Sequence, residues 1–165
     1  MATSYAIRSF RNALLAIVLV GSLTTACKKS GIGGGDVDPR DQYVGTYDGG
    51  YQASNLINNT LESSRESGKV TVAITKSEVP NQFYIELTFN GAASQKLTAE
   101  MTNNTFTVID KQSETLVFDG KSYPNSKYTA TGQFVEKDFL MNTVTETLQS
   151  GVTLSRRGSI TGTKK

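Results

Sequence analysis

Phe83-Tyr84-Ile85-Glu86-Leu87-Thr88-Phe89-Asn90-Gly91 is the stretch that decides the fold. Phe83, Ile85, Leu87 and Phe89 alternate with Tyr84, Glu86 and Thr88, the period of two that sets one strand face against a core and the other in water. Asn90-Gly91 then supplies the two residues that best tolerate positive φ, as a tight type I′ hairpin turn requires. The chain must turn back at once, and Leu97, Ala99 and Met101 continue the alternation in the returning strand.

The same pattern extends in both directions. Toward the C-terminus, Asn103-Asn104 turns the chain into Phe106 and Val108. Residues 112–126 form a longer connection holding a short apolar run, Leu116-Val117-Phe118, before Asp119-Gly120. Tyr128, Ala130, Gly132 and Phe134 alternate again, and Glu136-Lys137-Asp138 turns the chain into a strand over 139–147. Its inward face is either Phe139/Met141 or Leu140/Val144. Ser150-Gly151 leads to Val152, Leu154, Arg156, Gly158 and Ile160. Toward the N-terminus, Val70, Val72 and Ile74 precede a Pro80-Asn81 turn, and residues 54–68 are either a long loop or a ragged strand. A first strand carries Tyr43, Gly45, Tyr47, Gly49, Tyr51 and Ala53 on one face. Glycines inside a strand weaken it unless a bend or close packing needs them, and a strand bending to close a barrel has that need. No 3.6-residue period persists after residue 40. The expectation is an all-β domain over 42–163, an up-and-down antiparallel barrel of seven or eight strands, with an antiparallel sandwich as the alternative. Closure removes exposed edges, which suits a chain with only three prolines to guard them.

Composition narrows the chemistry. The 165 residues hold one cysteine, no histidine and no tryptophan. A single cysteine excludes an internal disulfide and a multi-cysteine metal site. Without histidine there is no Ser-His or Cys-His nucleophile pair and no imidazole base or metal ligand. Asp36 and Asp38 form a D-x-D pair without the remainder of a calcium loop, and Glu62, Glu66, Glu100, Glu136 and Glu146 have no spacing that pairs them. The expectation is a protein that is not an enzyme, with no metal and no cofactor. Arg8 and Arg11 account for the whole excess of 17 Lys/Arg over 15 Asp/Glu. The chain from Cys27 onward is neutral and lacks the cationic surface that nucleic acid requires.

Arg8 and Arg11 also open an export segment. Ala13-Leu14-Leu15-Ala16-Ile17-Val18-Leu19-Val20 is an apolar run too short for a permanent span of about 20 residues. Small residues follow, ending in Leu23-Thr24-Thr25-Ala26-Cys27. This run resembles the lipobox of bacterial lipoproteins, relaxed in having Thr24 where leucine is usual. The resemblance implies a signal peptide over 1–26, removed before a Cys27 that carries palmitate-type acyl chains. Residues 27–41, with Gly31, Gly33, Gly34 and Gly35, read as a flexible tether. The relaxed lipobox and Gly-rich tether resemble lipoproteins of Bacteroidota. The absence of Asp directly after the cysteine, and Lys28-Lys29 in place of early acids, then imply an outer-membrane anchor on the periplasmic face, with the cell surface as the alternative.

Tyr43-Val44-Gly45-Thr46-Tyr47 resembles the Gly-x-Trp signature that opens the first strand of lipocalins and other calycins, with Tyr47 in the tryptophan's place. The resemblance implies a cation from the last strand, Arg156, lying across the ring of Tyr47 to close the barrel. The competing reading keeps the two residues independent. It also implies a cup for a small hydrophobic ligand, whose lining would be Phe83, Ile85, Leu87, Phe106, Tyr128 and Phe134. The same side chains, with Phe89, could instead fill the barrel as a solid core, leaving a structural or interaction lipoprotein. For the anchor, Cys27→Ser is expected to leave the protein unacylated and in the aqueous phase of a detergent partition. Membrane association equal to the parent would contradict the lipobox assignment.

Overall fold

The computed structural model describes residues 37–165, so the export segment and Cys27 lie outside the described residues. These residues form nine strands and no helix. They are β1 (Gly45–Ile57), β2 (Leu61–Lys76), β3 (Gln82–Phe89), β4 (Ala93–Thr102), β5 (Thr105–Val108), β6 (Ser113–Phe118), β7 (Lys121–Val135), β8 (Asp138–Gln149) and β9 (Val152–Lys164). All pairings are antiparallel. The sheet runs β5-β4-β3-β2-β1-β9-β8-β7-β6, and a further β5–β7 pairing closes it. The result is the expected up-and-down barrel: eight strands around a closed wall, with β6 as an additional strand beside the first half of β7.

Turn chemistry places the hairpins where the sequence marks them. Asn90 and Gly91 both have positive φ, 49° and 73°, as do Asp119-Gly120 and Ser150-Gly151. Residues 54–68 are not a loop. β1 runs on to Ile57, Asn58 and Asn59 turn the chain in the left-handed region, and β2 begins at Leu61. This part of the hairpin lacks a clean alternation because it rises to the rim, where Glu62 to Ser67 are exposed. In β8 the inward residues are Phe139, Met141, Thr143 and Thr145. Phe139 and Met141 are fully buried, and Leu140 and Val144 lie on the other face.

The core is one contiguous cluster. Val70, Val72, Ile74, Ile85, Leu87, Leu97, Ala130, Met141 and Ile160 form its aliphatic middle, between aromatic rings from β1, β3, β5, β7 and β8. A second, smaller cluster joins Leu116 and Phe118 of β6 to Leu154, with Ile57 and Tyr123 packed against it.

Strand glycines are used where backbones approach. A Cβ on Gly49 would stand 1.8 Å from the carbonyl oxygen of Thr161, because β9 presses onto β1 at that bend. Gly132 opposes Phe106 in the β5–β7 pair, and the ring occupies the space of the missing side chain. Gly49→Val therefore has no room that a rotamer change can create. We expect it to destabilise the fold by about 3 kcal/mol, the upper part of the range for overpacking. Urea denaturation against the parent measures this.

Candidate functional site

The barrel is filled at one end and hollow at the other. At the filled end the chain enters through a turn at Asp38–Tyr43. Tyr43 stacks on Phe134 with ring centroids 4.2 Å apart, and Tyr47 packs at 6.1 Å from Phe134 and 5.9 Å from Phe139. Phe83 and Phe106 complete the group at 5.4 Å from each other. The Tyr47 hydroxyl donates to the carbonyl oxygen of Tyr43 at 2.7 Å. Burial pushes its pKa up to about 12, with the neighbouring Tyr43 phenol adding to the shift.

A guanidinium helps to close this end, but it comes from a different place than expected. Arg40 Nη1 donates to the carbonyl oxygens of Ser77, Val79 and Gln82 at 2.9, 2.8 and 2.6 Å, clasping the β2–β3 turn. Its Nε and Nη2 hold Asp38 at 2.9 and 2.7 Å. The hydrogen bonds from the Arg40 side chain and backbone hold the Asp38 carboxyl well below the usual carboxylate range. Residues 38–41, assigned by sequence to the tether, are thus docked on the barrel. The Tyr47–Arg156 pair is not formed. The β1–β9 register sets Lys164 opposite Tyr47 and Arg156 opposite Asn55, eight residues further along the strand. At about 3.4 Å per residue the two side chains belong to opposite ends of the barrel.

Arg156 instead faces the hollow end. There a cavity of about 290 Å³ is lined by Tyr51, Ala53, Glu66, Leu87, Phe89, Gln95, Glu114, Tyr128, Thr143, Thr145, Arg156 and Ile160, among others. Its floor is apolar: Leu87, Ile160 and the ring of Tyr128, each at most 5% exposed. Its walls carry Arg156, Glu66 and Glu114, each engaged in an ion pair. Arg156 reaches Glu66 over the small side chain of Ala53, which lies between their strands. Lys111 Nζ contacts Glu114 at 2.5 Å and sits 4.2 Å above the Tyr128 ring. The other Glu114 oxygen accepts from Thr145. Larger depressions of about 410, 420 and 460 Å³ lie at Gly132, at Gly50 and beside Ala130. The first two are lined mainly by threonines, serines and glutamines without charged groups, and the third has Lys111 as its one charged residue.

The β6–β7 hairpin reaches across this end. Ser63 of β2 donates to Asp119 at its tip at 2.7 Å, and Asn55 of β1 donates to the Val117 carbonyl at 3.4 Å. Leu116 and Phe118 meet Leu154 of β9. One gap is left beside the hairpin. β5 bonds β4 only from Ala99 to Thr102, because Asp110 takes the amide of Thr98 at 2.7 Å and the chain then follows β7. The outer edge of β4 from Ala93 to Leu97 has no strand partner among the described residues. Gln95 and Glu114 face the cavity from the two sides of that seam.

Of the residues expected to line a cup, Leu87 and Tyr128 line the cavity. Phe83, Ile85, Phe106 and Phe134 are at most 3% exposed, packed in the filled part. Sequence reading missed Gln95, Lys111, Glu114, Thr143 and Thr145 and gave Glu66 no role. A signal was present: Gln95, Glu66, Thr143 and Thr145 continue the inward parity of Leu97, Val70 and Met141 with polar side chains. Tyr128 carries the most informative atom. The residue is 5% exposed, and its hydroxyl, without a protein partner among the described residues, is open to solvent; the one buried side-chain polar atom there without a partner is Asn55 Oδ1. Burial raises its pKa well above the usual phenol value, with the Glu114 and Asp110 carboxylates adding to the shift.

No family model and no curated protein matches the chain. Among solved structures, a protein of unknown function of the DUF3598 family from Nostoc punctiforme is similar, with a TM-score of 0.41 and 12% identity over 76% of this chain and 48% of that one. A mutant of the vaccine antigen Transferrin Binding Protein B from Haemophilus parasuis has a TM-score of 0.39 and 11% identity, over 73% of this chain and 26% of that one. The chain thus spans about half the length of the first and a quarter of the second.

The raised phenol pKa values set an alkaline limit. The folded state holds Tyr47 and Tyr128 neutral where an unfolded chain ionises them, at about pH 10. Their stabilising contribution is complete below that pH and disappears as pH rises through about 12 for Tyr47 and at still higher pH for Tyr128. Tyrosinate absorbance is expected to show late-titrating phenols that ionise together with unfolding. Tyr47→Phe should flatten the alkaline fall in stability, at a loss of about 1 kcal/mol near neutral pH from the hydrogen bond removed.

Proposed function

We propose that this protein is a lipid-anchored, non-catalytic binding module of the bacterial cell envelope that holds a small ligand at the hollow end of its barrel. The observation that carries the binding part is the hollow end itself: a cavity of about 290 Å³ with an apolar floor and polar walls, lined by Tyr128, whose hydroxyl has no protein partner among the described residues. The cavity is at the lower limit of small-molecule pockets, about 300 Å³, and its floor is apolar, in keeping with a small ligand that has a hydrophobic part. The non-catalytic reading draws on Glu66 and Glu114, the carboxylates of the cavity, both of which are held by cations.

The anchor rests on the Leu23–Cys27 motif, and outer-membrane attachment on the periplasmic face rests on the residues that follow Cys27. A second reading, an interaction lipoprotein, draws on Leu61 and Leu148, which are 64% and 68% exposed at the hollow end.

Native mass spectrometry of protein purified from its own host tests the binding reading. The parent is expected to carry a non-covalent small-molecule adduct. Thr143→Phe, which places a ring in the cavity, is expected to lose the adduct while keeping its thermal transition. Parent protein free of any adduct, and unable to take up added amphiphiles, would leave the interaction reading in its place.

A further inference from the structure

We infer that the cavity takes a neutral, hydroxylated amphiphile about one sugar ring in size, a glycoside with a short apolar substituent, in preference to a fatty acid or an organic cation. This deepens the binding reading above and rests on it. The charges of the cavity cancel. Arg156 and Glu66 of the lining pair with each other, and Glu114 of the lining is matched by Lys111, which does not itself line the cavity. A ligand carboxylate approaching Arg156 meets Glu66 already in place. An ammonium approaching either acid meets the cation that holds it. With each cation already matched by a carboxylate, an ionic ligand meets no net opposite charge to repay the hydration it gives up on entry.

Neutral groups that both donate and accept meet no such obstacle. Arg156 has five N–H donors and a carboxylate about four lone-pair positions, and each ion pair uses only part of these. The amide of Gln95, the hydroxyl of Thr143 and the hydroxyl of Tyr128 have no side-chain hydrogen bond among the described residues, and each can act as donor and as acceptor. A ring bearing several hydroxyls answers this mixture, whereas a hydrocarbon chain leaves all of it unmatched. The remaining surface suits the C–H face and the apolar substituent of such a ligand. Tyr51 and Phe89 meet edge to face at 5.1 Å, and Leu87 and Ile160 form the floor beside Tyr128. A volume of about 290 Å³ is filled by about one sugar ring with a short substituent.

Isothermal titration with four probes sharing one alkyl chain tests this: hexyl β-glucoside, hexanol, hexanoate and hexylammonium, each below its micelle concentration. The glucoside is expected to bind about tenfold more tightly than either ion and more tightly than hexanol. Tyr128→Phe should weaken the glucoside by about fivefold to tenfold, within the range for one hydrogen bond, and leave hexanol unchanged, with the thermal transition confirming the fold. If hexanoate or hexylammonium binds most tightly, or hexanol matches the glucoside and Tyr128→Phe does not separate them, the ligand class is wrong while the cavity remains a binding site. If none of the four binds, hexanol included, both the class and the binding reading are overturned.

Discussion

Three residue pairs hold the barrel shut: Thr105 with Gln133, Phe106 with Gly132, and Thr107 with Thr131. Every other pairing in the wall joins strands adjacent in sequence or the two end strands, and most of those ladders are far longer. The shortness of this one has a local cause. Beyond Val108 the amide of Ile109 still reaches the carbonyl of Thr98, and the Asp110 carboxylate takes the amide of Thr98. The β4 ladder ends there, while the chain stays on β7 through the bond from the Tyr128 amide to Gln112. Closure at the filled end and an open seam at the hollow end follow from that one divergence.

The two ends differ in what their inward positions carry. At the filled end the inward residues Tyr43, Tyr47, Val72, Ile74, Phe83, Phe134, Phe139 and Met141 are large and apolar, and they interdigitate as an eight-stranded barrel can. Further along the same strands the inward residues are Glu66, Gln95, Thr143, Thr145 and Arg156. Charges in such a place are tolerated because they are paired and partly wet. Arg156 is 42% exposed and Glu66 is 54% exposed, so the pair avoids the full cost of a buried bridge. The small side chain of Ala53 leaves room beneath it. Glycines are filled at both ends, by Thr143 over Gly158 at the hollow end and by the Phe106 ring over Gly132 at the filled end.

The strand pattern was largely legible because the period of two is a local property, and Asn-Gly, Asp-Gly and Ser-Gly turns have local conformational causes. Legibility failed where a residue's partner is distant along the chain. Arg156 could be placed on an inward face, but not at a height in the barrel, because parity says nothing about register. Only the register of β1 against β9 separates it from Tyr47. Arg40 looked like part of a tether, since its three carbonyl partners lie about forty residues away in sequence. Residues 54–68 were ambiguous for a related reason: a hairpin at the rim faces solvent on much of its surface and carries no strong alternation.

What the sequence by itself determined is the fold class and the chemistry denied to it. Alternating apolar residues and turn pairs dictate antiparallel strands, and a chain without histidine and with one cysteine cannot assemble the commonest nucleophilic or metal centres. The tertiary structure alone decided which end of the barrel is solid, which inward polar residues meet, and that Tyr128 has a hydroxyl left over. A cavity is a sum over side chains from eight strands at one height, and that height is set by the registers of the long-range ladders rather than by any residue's neighbours in sequence.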